Sequence, residues 1–168
     1  MKKKLLYRLL IFVLLYTSAG SLQAQGITTA LLRCEMLTNP MGIDVAAPRL
    51  SWQISAVEHR NVVQTAYQVI AASSLEKLAA GNGDIWNSGK VSTAQSIHVP
   101  YAGKPLASGM ACYWKVKVFT NKGETGWSKP AQWTMGLLRP SDWKAKWIGY
   151  DKASPWDSIT QFSRLSAR

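Results

Sequence analysis

Nine carboxylates, two histidines and two cysteines are the first residues in this chain of 168 to weigh for acid–base, nucleophilic or metal chemistry. The acidic residues are Glu35, Asp44, Glu58, Glu76, Asp84, Glu124, Asp142, Asp151 and Asp157. Carboxylates do acid–base work as opposed pairs whose surroundings push their pKa values apart. No two of these stand at a spacing that local geometry would set face to face. Glu76 follows Ser73 by three residues, the spacing of a helix capping box. Asp84 lies in a turn with Gly81 and Gly83, and Asp44 in a loop that begins at Pro40, where a short carboxylate bonds nearby backbone N–H groups. His98 sits between Ile97 and Val99 and is expected to point to solvent from a strand. His59 lies in a polar loop before Asn61, and neither histidine has a Ser or Cys partner in a nucleophile motif. No catalytic residue is assigned, no cofactor-binding motif is read, and no CxxC or Cys/His cluster marks a metal. Cys34 and Cys112 are read either as a disulfide or as two buried free thiols, since spacing does not show whether their Cα atoms lie within reach.

The eight tryptophans are the informative excess. An exposed indole face stacks on sugar rings; a buried one fills a core. Trp52, Trp114 and Trp133 are in phase with strand alternation and are read as core. Trp86 and Trp127 fall near strand ends, at the rim. Trp143 and Trp147 lie beyond the last strand, where exposed indoles form an apolar patch that wants a partner. They are read as domain-docking residues, with sugar contact as the other reading.

The elements that position these residues are short strands separated by Gly, Pro, Asn and Ser. Leu50–Ser55 alternates apolar and polar, the period of a half-buried strand. Tyr67, Val69 and Ala71 mark another, and Ile85–Val91 a weaker one. Ser96–Val99 reads as a strand stopped by Pro100. Trp114, Val116 and Val118 face one way while Lys115 and Lys117 face the other. Asn121-Lys122-Gly123 is a turn, because Asn and Gly tolerate positive φ. Ala131–Met135 closes the pattern, and a first strand is expected over Leu31–Leu37. One helix of about two turns is capped by Ser73, carries Leu75 and Leu78 on its apolar side and ends at Gly81. About seven short strands with one short helix predict an all-β immunoglobulin/fibronectin type III-like β-sandwich over residues 27–138. Residues 139–168, which lack strand periodicity after Pro140, are read as a linker or the start of a further domain.

Residues 1–24 stand apart. Lys2, Lys3, Lys4 and Arg8 precede an apolar run from Leu9 to Leu15 and a stretch of small and polar residues, the layout of a secretory signal peptide cut after Ala24 or, second, after Ala19. The run is too short for a comfortable membrane span, so no membrane association is expected after cleavage. The formal charge of +11 falls to +7 without those four cations. The remaining Lys and Arg are dispersed, which fits a solvated basic surface on a periplasmic or secreted protein and not a nucleic-acid site.

Several blocks carry a resemblance. Trp114-Lys115-Val116-Lys117-Val118 followed by Gly123 and Trp127-Ser128-Lys129-Pro130 resembles the end of a fibronectin type III domain, in which Tyr usually stands at the place of Trp114 and ties the strand to the preceding corner by its hydroxyl. Leu32-Arg33-Cys34-Glu35, Asn39-Pro40-Met41-Gly42-Ile43-Asp44 and Pro48-Arg49-Leu50-Ser51-Trp52 resemble the start of bacterial α-L-rhamnosidases. So do Gln64-Thr65-Ala66-Tyr67, Trp86-Asn87-Ser88-Gly89-Lys90-Val91, Tyr113-Trp114-Lys115-Val116 and Trp143-Lys144-Ala145-Lys146-Trp147-Ile148-Gly149. Their order and spacing cover about residues 30–150.

The resemblance implies a larger parent enzyme in which this domain precedes further β-sandwiches and an α/α-barrel. In that family the barrel's acidic residues remove terminal α-L-rhamnose with inversion. None of the barrel falls within this chain, which reads as a truncated product or fragment. Inversion needs two carboxyl groups about 6.5–9.5 Å apart across the scissile bond, and no such pair is read here. The expectation is a non-catalytic domain that positions the downstream domains of the parent glycosidase. The alternative is a carbohydrate-binding module that meets rhamnosylated glycans through exposed Trp.

Overall fold

The computed structural model describes residues 26–57 and 59–146. The strands are β1 (Ile27–Cys34), β2 (Arg49–Ala56), β3 (Gln64–Ala72), β4 (Trp86–Asn87), β5 (Val99–Pro100), β6 (Ala111–Thr120), β7 (Gly123–Glu124) and β8 (Ala131–Thr134), with one helix, α1 (Leu75–Ala79), after β3. They form two antiparallel sheets, one of order β1-β2-β5 and one of order β4-β3-β6-β7 with β8 also paired to β6. The fold is the all-β, immunoglobulin-like sandwich that the strand pattern implies.

Alternation builds the core. Along β6 every second residue is buried, and Cys112, Trp114, Val116 and Val118 are fully enclosed. Leu50 and Trp52 of β2 meet them from the opposite sheet, while Val69 and Ala71 of β3 and Trp133 of β8 flank them in their own, all in one cluster. Burying such side chains contributes roughly 1.5–3 kcal/mol each. Edge-on ring contacts knit this layer: Trp52 with Tyr67 at 5.1 Å, Trp86 with Tyr101 at 5.2 Å and Tyr101 with Trp133 at 6.0 Å. Ile70, Ala72 and Leu78 form a second, smaller cluster where α1 covers the outer face of β3.

Several local expectations are corrected. The first strand starts at Ile27, not Leu31, and it ends at Cys34 because Glu35 and Met36 take positive φ values of 48° and 64°. Ser96–His98 is not strand: although the Trp52 N–H of β2 donates to the Ser96 carbonyl, His98 is exposed with a φ of 54° and the ladder with β2 is confined to Val99 and Pro100. Pro100 therefore belongs to the strand it was expected to stop, which an edge position permits because no ladder N–H is required there. The helix cap is Ser74, whose side chain accepts from the Lys77 N–H, and Leu75 is exposed while Leu78 is buried. Ser73 is bonded to Asp84 instead.

Residues 39–43 cross from one sheet to the other. After leaving β1 the chain runs parallel to β8: the Gln132 N–H donates to Asn39 Oδ1, Thr134 N–H to the Pro40 carbonyl, Ile43 N–H to the Thr134 carbonyl and Gly136 N–H to the Ile43 carbonyl. The outer edge of β8 is covered in this way.

Candidate functional site

The described residues enclose one notable trough, of about 970 Å³, between β1 and the segment 126–131. Its far wall is set by hydroxyls. Val116 N–H donates to Ser128 Oγ at 3.1 Å, and Val118 N–H donates to Thr125 Oγ1 at 3.0 Å. In return Thr125 N–H and Ser128 N–H donate to the carbonyls of Val118 and Val116. Side chains thus stand in for carbonyls along this flank of β6 and hold Trp127 at the rim, 37% exposed. The ammonium groups of Lys115 and Lys117 lie 5.3 and 5.6 Å from the Trp127 ring centroid, a cation–π arrangement on the sheet's outer face. Lys129 is the one charged residue in the trough lining. Thr125 and Ser128 carry this geometry and were not singled out in the sequence, where nothing local sets their hydroxyls apart.

A second feature is a set of exposed apolar residues in the segments around the end of the last strand. Met41 and Val45, on the loop tied to β8, and Leu137 just after β8 are 84%, 43% and 47% exposed. Trp143 follows at 54% exposure. It comes directly after a 3-10 turn, Pro140–Asp142, that is fastened back to the sandwich. Ser108 Oγ donates to Asp142 Oδ2, and Leu138 N–H donates to Ser108 Oγ at 2.9 Å. The other expected docking residue, Trp147, lies outside the described residues.

The described carboxylates with resolved partners hold loops. Glu35 forms a two-pronged pair with Arg49, whose Nη2 approaches to 2.7 Å. The Arg49 hydrogen bonds hold its carboxyl below the usual range against some loss of solvation. Glu124 lies 3.7 Å from the Lys117 ammonium. Asp84 receives the Lys77 ammonium at 2.7 Å, the Ser73 hydroxyl at 2.7 Å and the Ser73 N–H at 2.9 Å. Lys77 first, and Ser73 after it, hold the Asp84 carboxyl well below the carboxylate range, partial burial opposing them. Glu58, Asp151 and Asp157 lie outside the described residues.

The Asp84 clamp has a pH signature. In the unfolded chain the group titrates at its ordinary value, near 3.8. Its folded value is lower, so its contribution is complete above about pH 4 and disappears as pH falls through the folded value. Asp84→Asn is expected to melt below wild type at neutral pH, with the difference shrinking in acid. Thermal melts of both proteins across that range check the sign.

Of the two readings offered for the cysteines, the structure holds the second. Cys34 and Cys112 are free thiols, both buried. Loss of solvation in the apolar core raises each thiol to about 12, which suppresses the thiolate that disulfide exchange requires. Three other buried polar atoms have no protein partner among the described residues: Thr29 Oγ1, Trp114 Nε1 and Trp133 Nε1. Trp114 thus makes no corner bond of the kind a Tyr hydroxyl would. The Tyr101 hydroxyl serves a similar end nearby, donating to the Lys104 carbonyl at 2.8 Å with that of Ile85 at 3.1 Å.

Comparison with known proteins gives this architecture its kin. Residues 29–139 match the family described as Rha78A-like, N-terminal immunoglobulin domain. The chain is 37% identical to an alpha-L-rhamnosidase of Formosa agariphila over 153 residues, which are 87% of this chain and 16% of that protein. It is 45% identical to an alpha-L-rhamnosidase of Streptomyces avermitilis over 116 residues, 68% of this chain and 11% of that protein. Among solved structures, the Streptomyces avermitilis alpha-L-rhamnosidase complexed with L-rhamnose matches with a TM-score of 0.68 at 40% identity, covering 73% of this chain and 12% of that one. The alpha-L-rhamnosidase from Dictyoglumus thermophilum gives 0.70 at 35% identity, covering 79% and 15%. The aligned region is thus a small part of each relative. The fold, the matched span and these identities agree that the chain belongs to the Rha78A-like N-terminal immunoglobulin domain family.

Proposed function

We propose that this chain is the non-catalytic N-terminal domain of an exported α-L-rhamnosidase-like enzyme, and that it positions the domains that follow. The observation that carries the reading is the match of residues 29–139 to that family's domain, within relatives that are far longer. The structure adds a physical basis for positioning. Met41, Val45, Leu137 and Trp143 present apolar surface on the loop and segment at the end of β8, where a following domain is closest in sequence. The turn there is bonded to Ser108, so a neighbour seated on this face would be held at a fixed angle to the sandwich. Export rests on the leader-like residues 1–24, and removal of terminal α-L-rhamnose belongs to the parent enzyme's barrel.

Glycan binding is the rival outcome, with Trp127 as the exposed indole best placed for it. The test uses the purified chain. Titration with rhamnose-containing oligosaccharides to millimolar concentration is expected to leave tryptophan fluorescence unchanged, and an aryl α-L-rhamnoside is expected to remain intact. Saturable quenching that disappears in Trp127→Ala would replace positioning by sugar recognition. Hydrolysis by the chain alone would end the non-catalytic reading.

A further inference from the structure

Cations that are dispersed in the sequence meet on one face of the molecule. Along β6 the residues that point away from the core include Tyr113, Lys115, Lys117 and Phe119, all half-buried. Of the described helices and strands only α1 packs on this outer face, and it covers the end at Tyr113. The stretch from Lys115 to Phe119 has no such cover. Lys115 and Lys117 converge on the Trp127 ring, 5.3 and 5.6 Å from its centroid. Lys90, exposed in the segment after β4, reaches over to lie 4.1 Å from the centroid of Phe119.

Two properties set these lysines apart from an ordinary solvated face. A lysine on a strand usually trails into water, whereas these lie over aromatic rings, which attract an ammonium but carry no net charge. The cations are thus held in place without being neutralised. Among the described residues Lys90 and Lys115 pair with no carboxylate, and Lys117 meets only Glu124, at 3.7 Å. Alternate residues of a strand stand about 6.5 Å apart, so the like charges repel, and an anion laid along the strand relieves that repulsion. Because the ammonium groups are already placed, pairing costs less side-chain entropy than it would at free lysines.

We propose that this face is a docking surface for a linear acidic polysaccharide, whose carboxylates pair with Lys115, Lys117 and Lys90 along β6. The choice of occupant rests on charge complementarity and on the reading above of the parent as an enzyme of glycans. A uronate carries its carboxylate directly on the sugar ring, so little rotamer freedom is lost when it pairs. An acidic peptide brings its carboxylates on flexible side chains whose ordering opposes binding. Recognition is by charge, so a neutral rhamnose oligosaccharide does not compete for the site. The domain then holds the parent enzyme on its polymer as well as setting the place of its neighbours.

Fluorescence anisotropy of a fluorescein-labelled oligogalacturonate, titrated with the full chain, tests this. Binding is expected to saturate at low salt and to weaken steeply from about 20 to 200 mM NaCl. Lys115→Gln with Lys117→Gln is expected to weaken it about tenfold or more, and arginine at both positions to retain it. Lys90→Gln, at an exposed position, is expected to lower affinity in the same direction. Arg33→Gln with Lys104→Gln removes the same charge from β1 and from the segment after β5, and is expected to change affinity by less than about twofold. Thermal melts show that each variant folds. Absence of binding at low salt, equal losses in the two glutamine pairs, displacement of the probe by a neutral rhamnose oligosaccharide, or tighter binding of poly-glutamate would each overturn the proposal. The titration needs no downstream domain, so its failure would leave the positioning role standing, and loss of that role would leave the titration unchanged.

Discussion

Trp114→Ala is expected to destabilise the domain by about 3–5 kcal/mol, a large share of the total for a domain of this size. The indole is 0% exposed at the centre of β6 and belongs to the cluster joining both sheets. Removing it leaves a cavity bounded by sheet residues that cannot collapse without breaking register with β3 and β8. Urea unfolding followed by far-UV circular dichroism measures the loss. Trp114→Phe separates size from polarity. It keeps much of the volume and removes an indole N–H that has no partner, so it is expected to lose far less than the alanine variant. A melt of Trp114→Ala close to wild type would contradict this account of the core.

Gln64→Ala is expected to have the next largest effect, about 2–3 kcal/mol, because it strips the partner from the buried Trp52 N–H and from two part-buried carbonyls at once. The Trp52 indole N–H donates to Gln64 Oε1 at 3.0 Å, and Gln64 Nε2 donates to the carbonyls of Gln95 at 2.7 Å and Thr93 at 3.1 Å. One amide therefore joins β2, β3 and the irregular stretch before β5. Gln64→Leu restores volume without polarity and still orphans the Trp52 N–H. If hydrogen bonding dominates, the leucine and alanine variants should melt within a few degrees of each other, both well below wild type. Recovery by leucine would assign the loss to packing.

The parts of this fold that were legible in the residues are those set by alternation. Trp114, Val116 and Val118 declared β6, and Trp52 and Trp133 their partners, because a strand with one buried face writes its period directly into residue type. Asn121-Lys122-Gly123 declared its turn, and Gly123 takes a φ of 118° there. What stayed hidden is what depends on distant atoms. Ser73 has the right spacing to cap α1, yet Asp84 draws its hydroxyl away and Ser74 caps instead. Ser96–His98 looks like strand, but the amide of Gln64 takes the carbonyls of Thr93 and Gln95 just before it, and His98 bends out of extended geometry. The trough was illegible for a related reason. Its wall depends on Thr125 and Ser128 replacing carbonyls opposite Val118 and Val116, and no local pattern distinguishes those hydroxyls from others in a loop. Of the indoles outside the core, Trp143 was recognised as exposed, while Trp127 was placed at a rim without its lysine neighbours.

The crossing of residues 39–43 onto β8 also bears on mechanics. Ile43 is bonded to Thr134 and Gly136 in a parallel arrangement, so the leading and trailing portions of the domain are clasped side by side and point the same way. Tension applied through the two chain ends would load those bonds lengthwise, so that they must yield together and not one after another like a zip. A domain fastened in this manner resists stretching between whatever is tethered at either end, as a stiff coupling should.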